Sequence, residues 1–358
     1  MKHNDYREKS WLKITEKMKD MGMGVESELK KLIMAVVTTL ASLSYCHHIA
    51  ANTPKGLPRL LALLPAITLL SIIPFKLHTI YLGPPLVLLL SWLTNFNLLA
   101  FAFDHGPLSS PPARHVFILK ACSPFKIKQP IHSKVPLTLI LEAACKASLW
   151  LVLSFVSHHY KQCFHKHVWS LLFGFQIWVG VEVIFTMAAI PAQLVFRVDL
   201  EPQFKSPLFA SSLQDFWGHR WNLRVSETLR LVVYDPIRSI SIRTIGARWG
   251  SLPAVFVTFV TSGLMHELVY YNILRENPTW EITWFFVLQG ILVDMEIILK
   301  KKVELRLHRA ISGPLALANL TLTSVCLALA PLLRNRVDER IIHEFYVFLD
   351  LFSIFRMD

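Results

Sequence analysis

The sequence carries a histidine in the middle of a long apolar segment. His266 follows Ser251 by 15 residues, which corresponds to about 22 Å along an α-helix. Ionisable side chains are costly at membrane depth, so such positions are candidates for function. Glu182, Asp294 and Glu296 also lie in apolar segments. These residues are the first candidates for chemistry inside a membrane.

Two roles are open to His266 from its position alone. A neutral imidazole, with an ordinary pKa of about 6.5, can act as a general base toward a hydroxyl group. Alternatively, the ring only bonds a neighbouring helix. Thr258, Ser262 and Tyr270 follow the same face at spacings of four, so this polar stripe must face a cavity or another helix. Glu267 falls on a different face, so we expect another helix to orient the ring.

A second group of polar residues lies in the longest loop, 197–250. If this segment is helical, Asp215, His219 and Asn222 share a face at i, i+4 and i+7. Trp217 and Trp221 then lie on an adjoining face. Such a helix is expected to lie at the membrane interface, with both tryptophans at headgroup depth.

Arginines accompany this segment. Arg220 and Arg224 lie within or beside it, and Arg230 and Arg238 follow. The guanidinium fork matches phosphate oxygens, which favours a site for a phosphorylated substrate. The alternative is a juxtamembrane segment attracted to anionic lipid, and composition does not choose between the two.

Several familiar catalytic signatures are absent from the sequence. There is no GxSxG nucleophile elbow, no Walker A loop and no CxxC pair. A histidine-rich run at 158–167 also contains Cys163, but its spacing fits no standard metal site. We therefore interpret the run as a solvated loop and predict no metal site.

The composition defines the class of protein that must position these residues. Of 358 residues, 53% are apolar and 17% are charged, whereas soluble domains average about 25% charged. This balance predicts an all-α, polytopic integral membrane protein. The net charge of +12 would suggest nucleic acid on a soluble protein, but here we expect the basic residues in loops and no nucleic-acid partner.

About eight segments are long and apolar enough to cross a bilayer, which requires roughly 20 residues. The third contains Gly83-Pro84-Pro85, so we expect it to be broken or re-entrant. The predicted spans are 32–50, 57–75, 80–103, 135–156, 168–196, 251–273, 281–299 and 313–333.

Basic residues in the loops set the orientation. Loop five, residues 197–250, holds eight Lys and Arg, whereas loops two, four and six hold only one or two each. The positive-inside rule places loops one, three, five and seven in the cytosol. The eight basic residues before the first span conflict with eight full crossings. We expect residues 1–23 to be a polar extension, with Met23 a possible alternative start, and 24–358 to form one membrane-embedded domain.

Four ordered motifs resemble the plant wax synthase family, also called long-chain-alcohol O-fatty-acyltransferases, a branch of the membrane-bound O-acyltransferases. The resemblance runs from about Met23 to the C-terminus. Its motifs are Leu213 to Asn222, Val233-Tyr234-Asp235-Pro236-Ile237-Arg238-Ser239, Ser262-Gly263-Leu264-Met265-His266-Glu267, and Pro278-Thr279-Trp280-Glu281.

The resemblance implies an enzyme that transfers a fatty acyl group from acyl-CoA, its co-substrate, to a lipid hydroxyl without a further cofactor. It implies that His266 is the catalytic base and that Asn222 assists it. Asp215, Trp217, His219, Arg220, Trp221 and Arg224 are then expected to bind substrate. The family commonly has Arg where this chain has His219, so this chain has one guanidinium group fewer in the segment expected to bind the CoA phosphates.

The expected acceptor is a long-chain fatty alcohol, giving wax esters in a multi-pass protein of the endoplasmic reticulum membrane. A sterol acceptor is the alternative within the family. A different class also fits the composition, namely a non-catalytic lipid transporter in which Glu182, His266 and Asp294 form a structural network. Transporters often contain inverted repeats, and the hydropathy of this sequence shows no such symmetry.

Overall fold

The computed structural model describes residues 25–109, 113–130, 137–196, 198–302 and 308–354. The predicted extension at 1–23 lies outside these residues. The chain divides into two compact units. The first comprises residues up to 122, 268–278 and those from 332, and the second comprises 123–267 and 279–331. The expectation of one domain over 24–358 stays a prediction.

The predicted all-α, polytopic fold class is confirmed. Within the described residues, eight helices are long and apolar enough to cross a membrane. They are α1 (Val25–Asn52), α2 (Leu57–Ile72, continued by a 3₁₀ turn, Ile73–Lys76), α3 (Gly83–Ala102), α5 (Leu137–Tyr160, continued by a 3₁₀ turn, Lys161–Cys163), α6 (Lys166–Phe196), α9 (Ser251–Leu274), α10 (Glu281–Lys302) and α11 (Arg309–Arg334).

The remaining elements are short. Two strands, β1 (Ile127–Pro130) and β2 (Val198–Leu200), pair antiparallel, which the sequence did not predict. The other helices are α4 (Arg114–Cys122), α7 (213–220), α8 (223–245) and α12 (Val337–Ile354). Helices α3, α7, α8 and α11 each include a π-helical segment, namely Val87–Thr94, Phe216–Arg220, Arg230–Tyr234 and Ser324–Ala328.

The Gly83-Pro84-Pro85 sequence does not break the third span. Both prolines lie in the first turn of α3, where the backbone N–H groups have no partner within the helix. The helix therefore starts at this sequence and runs to Ala102. The expectation of a broken segment is wrong because the prolines mark the beginning of the helix and not its interior, whereas the re-entrant alternative stays a prediction.

The first unit packs α1, α2, α3 and α4 around enclosed leucine and phenylalanine side chains, among them Leu63, Leu98 and Phe101. Charged groups fix the connection between α2 and α3. Glu28 accepts a hydrogen bond of 3.0 Å from the backbone N of His78. This unit is held by apolar packing and by hydrogen bonds from one partly buried connection to Glu28.

In the second unit, α5 and α6 form a hairpin joined by polar side chains. Lys146 Nζ lies 2.7 Å from Glu182 Oε2 and 2.5 Å from Glu142 Oε1. The amide of Gln176 bonds Ser157 at 2.7 Å and Ser154 at 3.2 Å. Glu182, one of the candidate functional residues, is therefore half of an ion pair between two helices.

Candidate active site

His266 lies on α9 and is oriented by its own helix. Its Nδ1 is 2.8 Å from the carbonyl oxygen of Ser262, one turn earlier. A carbonyl oxygen only accepts, so the neutral ring carries its proton on Nδ1 and its lone pair on Nε2. The partner of Nδ1 is thus the backbone of the preceding turn, whereas orientation of the ring by a group from another helix stays a prediction. The resulting tautomer is the one in which Nε2 can take a proton.

Glu267, the next residue, has a different role. Its buried carboxylate accepts a hydrogen bond of 3.1 Å from the backbone N of Trp280 and one of 2.8 Å from Thr283 Oγ1. Trp280 has a positive φ of 63° immediately before α10. Glu267 therefore holds the turn that starts α10, as expected from its position on a separate face. This contact links two of the recognised motifs through the structure of the turn.

Helices α9 and α10 approach closely at two glycines. A Cβ at Gly263 would lie 3.1 Å from Thr283 Cα, and one at Gly290 would lie 2.9 Å from Phe259 Cβ. A side chain at either position would push the helices apart. The close approach brings the Phe286 ring of α10 to 4.3 Å from the imidazole of His266, between ring centroids.

Trp217 connects the loop motif to this helix pair. Its ring lies edge-on against Phe259 at 5.6 Å and packs against Phe286 at 5.7 Å. Its Nε1 donates to Gln289 Oε1 at 3.3 Å. Trp217 and His266 thus both pack against Phe286, although 48 residues lie between them in the sequence. Sequence reasoning missed Phe286 and Gln289, because neither is ionisable nor part of a recognised motif.

The loop motif is not one continuous helix. Helix α7 ends at Arg220, Trp221 is extended, and Asn222 adopts the left-handed conformation with φ of 40°. Asn222 therefore does not share the face of Asp215 and His219, which corrects the expected i, i+4, i+7 arrangement. Asn tolerates this conformation and is a favoured N-cap, which explains the break at this residue.

Asn222 caps α8 with one end of its amide. Its Oδ1 accepts from the backbone N of Val225 at 3.4 Å. In the part of the chain that the structure describes, its amide nitrogen makes no hydrogen bond, and no hydrogen bond joins Asn222 to His266. The oxygen is thus used in folding, and the N–H₂ group remains available as a donor to a ligand.

Asp215 organises the turn before α7. It accepts hydrogen bonds from the backbone N of Ser211 at 2.9 Å and from Arg220 Nε at 2.7 Å. Burial alone would raise the pKa of Asp215, but these hydrogen bonds and the charge of Arg220 lower the pKa below its ordinary value. His219 Nδ1 lies 3.9 Å from the same carboxylate and is largely exposed. Asp215 is therefore ionised and paired at neutral pH.

The other predicted binding residues make contacts within the protein. Arg220 Nη1 donates to the carbonyl oxygens of Lys205 and Ser206 at 3.3 and 3.2 Å. Arg224 is buried, with its Nη1 3.7 Å from Glu227 Oε2. Trp221 stacks on Phe216 and contacts Phe204 and Trp178, in an aromatic cluster. Each of these side chains helps to stabilise the conformation of the loop motif.

A pocket of about 470 Å³ lies between the start of α7 and the start of α11. Arg220, Asp215 and Arg309 line it. The walls are close because Ser312 Oγ donates to the carbonyl of Ser211 at 2.7 Å. Arg309 makes no hydrogen bond or ion pair with any described residue. The pocket joins loop five to the end of loop seven, and both loops are rich in basic residues and predicted to face the cytosol.

The other intramembrane candidates, Glu296 and Asp294, differ in whether they have hydrogen-bond partners within the described chain. Glu296 accepts from the backbone N of Gln214 at 3.3 Å and pairs with Lys300. Asp294 has a buried Oδ1 that makes no hydrogen bond to any described residue. Among the residues placed by the structure, no three His, Cys, Asp or Glu side chains are arranged to hold a metal.

Comparison with known proteins gives consistent matches. Residues 200–288 match the membrane bound O-acyl transferase family. A protein of Arabidopsis thaliana named probable long-chain-alcohol O-fatty-acyltransferase 1 is 38% identical over 343 residues, covering 92% of this chain and 99% of that relative. The long-chain-alcohol O-fatty-acyltransferase of Simmondsia chinensis is 37% identical over 337 residues, covering 91% of this chain and 96% of the relative.

Proposed function

Since the chain belongs to the long-chain-alcohol O-fatty-acyltransferases, within the membrane-bound O-acyltransferases, we propose that it transfers a fatty acyl group from acyl-CoA to a long-chain alcohol. The product is a wax ester. The observation that carries the proposal is the Nδ1 contact of His266 with Ser262, which leaves the lone pair on Nε2 at a position inside a membrane-spanning helix.

In the proposed reaction, His266 Nε2 removes the proton of the alcohol as its oxygen attacks the thioester carbonyl carbon. The new C–O bond forms, the C–S bond breaks, and the proton passes from the imidazolium to the departing thiolate, so that CoA leaves as the thiol. General base catalysis of this kind typically contributes about 10²- to 10⁴-fold. The thioester is already an activated acyl donor, so the proposed reaction needs no cofactor beyond acyl-CoA.

Asn222 supplies a hydrogen-bond donor in this proposal. Its Oδ1 is engaged with Val225 N, so the amide is oriented with its N–H₂ group directed away from the α8 backbone. A neutral donor of this type stabilises negative charge that develops on a thioester carbonyl oxygen. The cap therefore fixes the donor before substrate binds.

The CoA head group is proposed to bind on the cytosolic side. Its phosphates are negative, and the pocket between α7 and α11 carries the guanidinium groups of Arg220 and Arg309. Arg220 is partly neutralised by Asp215, so Arg309 supplies the cation without a protein partner in the described chain. The acyl chain and the alcohol are apolar and are expected to reach His266 through the membrane region.

Removal of Arg309 tests this placement. We expect Arg309→Ala to raise the KM for acyl-CoA about three- to tenfold, since one exposed charge contact is lost, with kcat and the KM for alcohol unchanged. Arg243 is an exposed arginine at the end of α8, so Arg243→Ala is the matched control for loss of one basic charge. Equal effects of the two variants would contradict a specific site at Arg309.

Identification of the product tests the function as a whole. The chain is expressed in a yeast strain that lacks neutral-lipid acyltransferases, and fatty alcohols, sterols and diacylglycerol are fed separately. We expect wax esters from the fatty alcohols, in the endoplasmic reticulum membrane fraction. Sterol esters as the main product would instead establish the sterol acceptor.

The same strain tests the assignment of His266. We expect His266→Ala to abolish ester formation while the amount of protein in the membrane stays close to that of the wild type. His159→Ala is the control, because His159 is an exposed histidine at the end of α5. Substantial ester formation by His266→Ala would refute the base, and absence of every ester from the wild-type chain would favour the transporter class.

A further inference from the structure

Gln289 is a neutral amide that is completely buried in the middle of α10. Its exposed fraction is 0%, which is unusual for a polar side chain. Both ends of the amide are bonded, since Oε1 accepts from Trp217 Nε1 at 3.3 Å and Nε2 donates to Thr323 Oγ1 at 2.9 Å. One side chain therefore joins the loop motif, α10 and α11.

The direction of this amide follows from its partners. The indole N–H of Trp217 only donates, so it requires the amide oxygen. The hydroxyl of Thr323 donates to the carbonyl of Asn319 at 2.8 Å, with the carbonyl of Leu320 at 3.1 Å. Because the hydroxyl proton is committed to its own helix, Thr323 can only accept from Gln289. The amide thus has one orientation that satisfies every partner.

Trp217, whose indole bonds Gln289, is connected to His266 through one intervening side chain. Trp217 packs on Phe286, and Phe286 packs on the imidazole of His266 with ring centroids 4.3 Å apart. The His266 ring has its Nδ1 bonded to the carbonyl oxygen of Ser262, and the Phe286 ring packs against the imidazole and restrains its plane. Movement of Trp217 would loosen the support of Phe286.

We propose that Gln289 is a positioning residue for acyl transfer, which fixes Trp217 and through Phe286 the plane of His266. The inference rests on the proposed role of His266 as the base. Misplacement of a reacting group by about 1 Å can cost on the order of 100-fold in rate, so a residue that touches no substrate can still control kcat.

The first test replaces Gln289 by Leu, which keeps the volume and removes both hydrogen bonds. We expect kcat to fall about ten- to 100-fold, with the KM values for acyl-CoA and alcohol changed less than about threefold. Gln176→Leu is the matched control, because Gln176 is also a buried glutamine that bonds two side chains in membrane helices. We expect that control to keep kcat per mole of folded enzyme.

A double-mutant cycle separates positioning from a general structural role. Trp217→Phe retains an aromatic ring but lacks the donor for Gln289. If Gln289 acts through Trp217, adding Gln289→Leu to Trp217→Phe lowers kcat by less than about threefold further. Independent, multiplicative losses would overturn the proposal. A rise in the KM for alcohol at constant kcat would also overturn it, because Gln289 would then contact the substrate.

Thr323→Val is the second variant if Gln289→Leu fails to fold. It removes the acceptor that orients the amide, so we expect a smaller fall in kcat, about three- to tenfold, whereas Thr323→Ser restores the wild-type value. Unchanged kcat in Thr323→Val would overturn the proposal. Substantial ester formation by His266→Ala would refute the base on which this inference rests, and absence of every ester from the wild-type chain would refute the proposed function. Both results are distinguishable from failure of the inference, because the Gln289 variants retain the base.

Discussion

The α5–α6 hairpin and the α9–α10 pair both contain polar side chains within membrane-spanning helices, but Lys146 and Gln176 bond the partner helix, whereas Nδ1 of His266 bonds its own helix. In the hairpin, Lys146 bonds Glu182 across the two helices, and Gln176 bonds serines of the partner helix. In the pair, His266 Nδ1 is held by Ser262 on its own helix. The exposed His159 of the hairpin makes the same kind of contact, with the carbonyl oxygen of Phe155 at 3.1 Å, so this contact alone does not mark a base. His266 differs because its ring also packs against Phe286 of the neighbouring helix.

The two regions also differ in the free-energy change expected when a side chain is replaced. A hydrogen bond between helices in a membrane contributes about 0.6 kcal/mol on average and at most about 1.7 kcal/mol. Loss of a general base raises the barrier by about 3 to 5 kcal/mol, because it removes about 10²- to 10⁴-fold in rate. Substitutions in the hairpin should therefore change stability modestly, and those at the histidine should change the rate strongly.

The largest expected effect is that of His266→Gln. Glutamine can still hydrogen-bond but cannot take a proton, so we expect kcat to fall about 10²- to 10⁴-fold with little change in melting temperature in detergent. The measurement is the initial rate of ester formation by purified enzyme, with circular dichroism as the check on folding. A comparable fall in melting temperature would make His266 a structural residue like those of the hairpin.

The pH dependence of kcat/KM in the wild-type enzyme also tests whether His266 acts as a base. A protonated imidazole cannot accept the alcohol proton, so kcat/KM should fall as the pH drops through the pKa of the free-enzyme base. The expected slope of the acid limb is tenfold per pH unit. A rate independent of pH on the acid side, at pH values where the enzyme stays folded, would contradict the base.

Asn222→Asp has the next largest expected effect. Aspartate keeps the oxygen that caps α8 at Val225 and tolerates the left-handed conformation, but it lacks the N–H₂ donor. We expect kcat to fall about 10²-fold while the melting temperature changes little. Wild-type kcat in this variant would show that Asn222 serves only as a cap, and the catalytic region would then be limited to α9 and α10.

The sequence predicts the membrane-spanning helices well, and it marks a candidate base. Long apolar runs give the eight spans because the bilayer fixes their length, and a histidine inside such a run gives the candidate base. The sequence did not predict a role for Gln289, because a neutral amide among apolar residues carries no charge and belongs to no recognised motif. Its partners, Trp217 and Thr323, are distant in sequence and meet it only after folding.

The geometry predicted for the loop motif is wrong. The helical spacing ignored the preference of Asn222 for the left-handed turn, which ends α7 and starts α8. Arg220 and Arg224 were assigned to phosphate by residue type, yet they bond Asp215 and Glu227. These partners depend on the turn, and a periodicity argument that omits the turn cannot find them.

Glu267→Ala tests whether the α9–α10 pair also contains purely structural polar groups. The change leaves Trp280 N and Thr283 Oγ1 without their acceptor, and we expect about 1–3 kcal/mol of lost stability. The kcat per mole of folded enzyme should stay within about threefold of the wild type. A loss of kcat as large as that of His266→Gln would break the distinction between these adjacent residues.

Lys146→Met has the smallest expected effect and tests the hairpin directly. The variant leaves Glu182, whose side chain is 13% exposed, without its cation, so we expect a loss of about 1–2 kcal/mol. The second change, Glu182→Gln, removes the uncompensated charge and should recover part of that stability. Both variants should keep kcat per mole of folded enzyme, because the ion pair joins helices and contacts no reacting group. A fall of tenfold or more in kcat in Lys146→Met, reversed by Glu182→Gln, would mean that the charge of Glu182 acts on the chemistry, and the contrast between the two helix pairs would then fail.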